Sequence, residues 1–134
     1  SICLRIISGF IAIVPTIQNE SVNNLAKKCV EELDCFRQAK PLNNLNARRA
    51  AGLSDSEERN LLKWGYPYVL DDFRFHLTLT NKLSSKALKN VFPVLSSELQ
   101  PVLNGPLVIG KICLLGESNI NEKFEVIEEF SFGD

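Results

Sequence analysis

The stretch at residues 73–80 constrains this chain more than any other. Phe73, Phe75, Leu77 and Leu79 alternate without a break with Arg74, His76, Thr78 and Thr80. Successive side chains of a strand point to opposite faces, so the pattern predicts a strand with one apolar and one polar side. The apolar side demands a core, which predicts a central strand. The polar side sets a cation, the only histidine in the chain and two hydroxyls in one row. Residues two apart on a strand lie about 6–7 Å apart along its axis. That spacing suits an imidazole and a hydroxyl contacting different oxygens of one phosphate-sized group.

The flanking segments supply a sheet and its helices. Ile2–Ile7 and Phe10–Val14 are rich in β-branched residues, are divided by Gly9 as a bend or bulge and are ended by Pro15, which predicts strands covered on both faces. Val22, Leu25, Ala26, Cys29, Val30, Leu33 and Phe36 recur at helical spacing, with Asn19 or Ser21 to cap the start. Residues 40–52 are polar and turn-rich. The adjacent Arg48 and Arg49 there either contact an anion or lie as surface charges. Ser54 and Glu57 fit a capping box, and Gly65 is placed to end the short helix that follows.

Ala87, Leu88, Val91, Phe92, Leu95 and Leu99 predict a second long amphipathic helix, kinked or split by Pro93 and stopped by Pro101. Residues 107–115 and 124–132 read as two further strands. Strands interleaved with helices in this order predict an α/β or α+β sandwich with helices packed on one sheet face, the expectation adopted being α+β with an antiparallel sheet, in a single domain spanning residues 1–134.

Composition narrows the function classes. With 45% apolar residues and a net charge of −1, a broad affinity for extended nucleic acid or anionic lipid is not expected, so any anion site must be local. Cys3, Cys29, Cys35 and Cys113 form no Cys-x-x-Cys pair. With one histidine beside them they give no zinc pattern, and they read as small buried hydrophobes in a reducing, cytoplasmic setting. No apolar run is long enough to span a membrane, and the apolar opening residues read as strand rather than signal peptide.

Histidine titrates near neutral pH and can give or take a proton. A threonine hydroxyl beside it can donate to a phosphoryl oxygen whose charge builds in the transition state. Hydrolysis of a cyclic phosphodiester needs a base to activate water and an acid to protonate the leaving alkoxide. One imidazole cannot stand on both sides of an in-line displacement, so His76-Leu77-Thr78 is half of such a site.

Gly65, Tyr66, Pro67, Tyr68, Val69, Leu70, Asp71 and Asp72, continuing through Thr80, resemble the second motif region of the two-histidine (2H, LigT-like) phosphoesterases, in the bacterial branch found in phosphonate-use operons. Residues 9–15 and 53–64 resemble that branch too. The resemblance implies a bilobal fold, each lobe built as strand-helix-strand-helix-strand and giving one His-x-Thr motif to a shared groove. By carry-over, His76 is one of the two general acid/base residues and Thr78 a phosphate-oxygen donor, with Arg74 and Tyr68 as lesser substrate contacts. Arg74 alternatively pairs with Asp71 or Asp72 outside the groove.

Family members carry two motifs, and this chain has one histidine. It therefore resembles the carboxyl-terminal lobe with an extra final strand, as a fragment, a truncated product or a self-assembling half. The expected partners are a phosphorylated small molecule or nucleotide and either a second copy or a complementary lobe. No metal or other cofactor is expected, since two imidazoles suffice for the proton transfers. The competing expectation is a non-catalytic phosphate- or nucleotide-binding module, or a dimerising remnant, that binds without turnover.

Overall fold

Ser8 and Gly9 turn the first apolar run back on itself. A computed structural model describes residues 1–38, 46, 48–50, 52–103, 105–118 and 123–133. Both turn residues have positive φ, 48° and 91°, as a two-residue hairpin turn of type I′ requires. The turn joins β1 (Ile2–Ile7) to β2 (Phe10–Pro15) as an antiparallel pair, with Leu4 opposite Ile13 and Arg5 opposite Ala12. β3 (Leu77–Thr78) adds to the far side of β2, with Ala12 opposite Thr78 and Ile13 opposite Leu77.

This sheet has the order β1-β2-β3, so β2 is the central strand and β3 an edge. That corrects the expected central position of residues 73–80. Only Leu77 and Thr78 join the ladder, although Leu79 N–H still donates to the Ile11 carbonyl at 2.9 Å. The apolar side of the stretch is accordingly half-covered: Leu77 and Leu79 are 41% and 40% exposed. An edge strand has a neighbour on one side only, and here an open depression of about 510 Å³ separates Phe75 and Leu77 from residues 107–111.

The core forms on one face of the sheet. Ile2, Leu4, Ile11 and Ile13 are buried there, packed against Leu83, Leu88, Val91, Phe92, Leu95, Leu99 and Leu103. Most of those partners lie on α3 (Ser85–Glu98), capped by Ser84, whose hydroxyl accepts from Ala87 N–H. Pro93 does not split the helix: α3 continues through it from Ser85 to Glu98. Pro93 and Lys89, whose carbonyl the proline leaves without its usual donor, are both exposed, so water can serve that carbonyl. Pro101 falls inside a short helix, α4 (Gln100–Leu103), at a position where no backbone donor is needed.

Between β2 and β3 run α1 (Glu20–Leu33) and α2 (Asp55–Trp64). Asn19 caps α1 by accepting from Ser21 and Val22 N–H. Ser54 and Glu57 complete the capping box of α2. Gly65 ends α2 with φ 71°, and a Cβ there would meet Arg37 Nη1 at 2.9 Å. The polar stretch expected at 40–52 lies largely outside the described residues. Within it, Arg49 pairs with Glu58 at 2.6 Å.

The last strands do not extend the first sheet. β4 (Lys111–Gly116) and β5 (Glu125–Ser131) form a separate antiparallel pair with an irregularity between Leu114 and Leu115. The architecture is α+β with antiparallel sheets throughout. All four cysteines are free, and the expected burial fails: Cys35 and Cys113 are exposed and Cys3 and Cys29 half-buried. Among the described residues no helix is long and apolar enough to cross a membrane.

Candidate functional site

The sheet face opposite α3 is open. It forms the floor of a groove of about 1260 Å³, bordered by the start of α1 and by residues from 66 to 76. Directly opposed residues of an antiparallel pair share a face, so the register puts Arg5, Ala12 and Thr78 in one row across β1, β2 and β3. All three line the groove, as do Tyr68, Arg74 and His76. The four residues singled out in the sequence thus lie along one cavity.

His76 is held by its own chain. Its Nδ1 is 2.7 Å from the Arg74 carbonyl oxygen. A carbonyl only accepts, so Nδ1 carries the proton and Nε2 the lone pair of the neutral ring. The histidine is exposed. Among the described residues Arg74 pairs with no carboxylate: its Nη1 donates to the carbonyls of Asp71 and Phe73 at 2.9 Å each. Thr80, the second hydroxyl of the predicted row, accepts from Ile11 N–H at 3.0 Å and so belongs to the sheet ladder.

α2 positions the segment that carries these groups. Asn60 Nδ2 lies 3.2 Å from the Pro67 carbonyl, 3.1 Å from the Val69 carbonyl and 2.9 Å from Asp72 Oδ2. Ser56 adds a hydroxyl donor to the same Asp72 oxygen at 2.7 Å. Leu70, between these anchors, has φ 54°, a conformation that L-residues seldom adopt and that the surrounding hydrogen bonds support. Val69 and Pro67 are buried beneath. The wall therefore has a rigid backing, while its groove side presents Tyr66 and Tyr68 as an edge-to-face pair 5.7 Å apart. The Arg48 guanidinium stacks 4.6 Å above the Tyr66 ring, so this arginine stands beside the groove.

Three contributors were not singled out in the sequence. Tyr66 and Asn60 carry no pattern of their own. Arg5 did leave a signal, as the lone charge among the first nineteen residues, within an apolar strand.

The model of one protein family, described as a protein of unknown function (DUF1045), matches residues 1–125. The chain belongs to this family. It is also similar to two proteins named ribose 1,5-bisphosphate phosphokinase PhnN. The one from Janthinobacterium sp. (strain Marseille) is 32% identical over 91 residues, which is 68% of this chain and 20% of that protein. The one from Laribacter hongkongensis (strain HLHK9) is 35% identical over 77 residues, 58% of this chain and 17% of that protein. The matched region thus spans a fifth or less of these relatives. No solved structure matches the chain.

A nucleotide-phosphate loop of the G-x-x-x-x-G-K-[ST] type needs a hydroxyl after its lysine and a helix to follow. Gly105, Gly110 and Lys111 have that spacing, but Ile112 follows and the segment enters β4.

Proposed function

We propose that this DUF1045 chain is one lobe of a phosphoesterase that opens a cyclic phosphodiester on a nucleotide or phosphorylated sugar. His76 acts as general acid or base and Thr78 as donor to a phosphoryl oxygen, as in the two-histidine phosphoesterases that the sequence resembles. The observation that carries the reading is the hydrogen bond from His76 Nδ1–H to the Arg74 carbonyl. It leaves Nε2 as the basic nitrogen of a residue that lines the same groove as Thr78.

In the forward step Nε2 takes a proton from water, and the water oxygen forms a bond to phosphorus. The bond from phosphorus to the leaving oxygen breaks in line, and a second acid protonates that alkoxide. The second acid comes from another His-x-Thr motif, on a second copy or a complementary lobe. Tyr68 and Arg74 contact the substrate from the groove wall. The names of the relatives point to a phosphorylated ribose as ligand class. The operon context of the resembled branch points to phosphonate breakdown in the cytoplasm.

Hydrolysis of 2′,3′-cyclic nucleotides and of a ribose cyclic phosphate tests the reading. Each proton-transfer group is worth roughly a hundred- to ten-thousandfold, so the monomer alone turns over poorly and an assembly supplying the second motif turns over well. His76→Ala in that assembly abolishes turnover. Assembled protein that binds the cyclic phosphates without hydrolysing them supports instead a binding module, the reading that a single histidine favours.

A further inference from the structure

We infer that Arg5 is a second phosphoryl-binding residue, and that the phosphoryl group is held between the Arg5 guanidinium and the Thr78 hydroxyl. The inference rests on the reading of the groove as a phosphoryl site and adds the residue that completes its seat. Arg5 pairs with Ala12, and Ala12 with Thr78, so the three form a straight row across the sheet on its open face. Adjacent strands lie about 4.7–4.9 Å apart, which sets the outer two residues about 9–10 Å apart at the backbone.

Ala12, between them in the row, is 1% exposed, so its methyl is already covered and the polar atoms free to take a ligand here are those of the exposed Arg5 and Thr78. A phosphoryl group accepting charge-assisted hydrogen bonds of about 2.7–2.9 Å from both side chains bridges them. A guanidinium presents a planar fork that matches two phosphoryl oxygens at once.

Charge favours the same seat. Among the described residues Arg5 has no ion pair, and no hydrogen bond of its guanidinium is found. The two carboxylates lining the groove, Glu57 and Asp72, are both engaged: Glu57 accepts from Ser54 N–H, and Asp72 from Ser56 and Asn60. Both belong to the α2 side. The β1 side keeps an uncompensated cation, set in a strand whose neighbours Leu4 and Ile6 are apolar.

Titration of the protein with inorganic phosphate, followed by amide chemical shifts and repeated with Arg5→Gln and Arg5→Lys, tests the inference. Arg5 is exposed, so both variants keep the wild-type fold, and their spectra verify this directly. The expected result is saturable shifts at Ala12 and Thr78 in the wild type, affinity reduced about tenfold or more in Arg5→Gln, and partial recovery in Arg5→Lys. Equal affinity in Arg5→Gln overturns the role of Arg5 and leaves the groove reading standing. Absence of any saturable shift at Ala12 and Thr78 in the wild type overturns the groove reading, and the inference with it.

Discussion

The Nδ1 atom of His76 lies 2.7 Å from the carbonyl oxygen of Arg74, two residues earlier in the same chain. The contact is local, so it survives whatever covers the rest of the groove. It predicts that the neutral imidazole is the Nδ1–H tautomer. Nitrogen-15 NMR of the ring is the measurement, and a proton on Nε2 in the neutral form would remove the basis for Nε2 as the base.

Asn60 ties α2 to the segment that carries the site. Asn60→Ala leaves the Val69 and Pro67 carbonyls and one Asp72 oxygen short of a donor. Each partly buried polar group left without its partner costs about 1–3 kcal/mol, less where water reaches it, so a loss of about 2 kcal/mol is expected. Urea denaturation measures it. Amide exchange at Val69 and Asp72 should quicken more than at Ile11 or Ile13.

Gly65→Ala meets two obstacles, a φ of 71° and Arg37 Nη1 at 2.9 Å from the new methyl. The conformational part alone costs about 1 kcal/mol. Arg37 donates to the Lys63 carbonyl at 3.1 Å, so displacing it also loosens the end of α2. Thermal unfolding should show a lower midpoint, and a midpoint equal to wild type would mean that this helix end is not set as described.

Lys111 holds the carboxyl of Glu129 below the usual glutamate range, first by hydrogen bonding and then by charge, across the β4–β5 pair. A depressed carboxyl contributes stability above its unfolded-state pKa, and that contribution is lost as pH falls through the folded value. Both groups are solvent-exposed, so the effect on global stability is small. Carbon-13 titration of the Glu129 carboxyl should give a midpoint below that of an unfolded peptide, and Lys111→Met should raise it toward the peptide value.

The β4–β5 region exposes a large apolar surface: Val108 is 81% accessible, Phe124 68% and Ile127 64%. Burial is worth about 25 cal/mol per Å², and exposed patches of several hundred Å² mark interfaces. Association with a second copy or a complementary lobe is therefore expected at micromolar concentration. Sedimentation velocity measures it, and the double substitution Val108→Lys with Phe124→Glu should shift the protein toward monomer. A strictly monomeric wild type would refute the expectation.

Where an outcome depends on near neighbours in the chain, it was legible in the residues. The caps at Asn19 and Ser54 satisfy the first donors of the helices that follow them. Gly65 takes the left-handed conformation that ends α2. The two-residue alternation determined that His76 and Thr78 would share a side, and both line one groove.

Outcomes that depend on distant segments were decided only by the tertiary structure. Alternation specifies which side chains face together but not which strand lies next door. It therefore carried no information that β3 would be an edge two residues long, or that β4 and β5 would pair apart from the first sheet. Helix propensity counts Pro93 against α3, yet packing of Leu88, Val91, Phe92 and Leu95 on the sheet outweighs one missing backbone hydrogen bond. Arg5, Ala12 and Thr78 are scattered over more than seventy positions of sequence. Only the hydrogen-bond register of β1, β2 and β3 sets them in one row, because a ladder between strands is a contact that no local rule encodes.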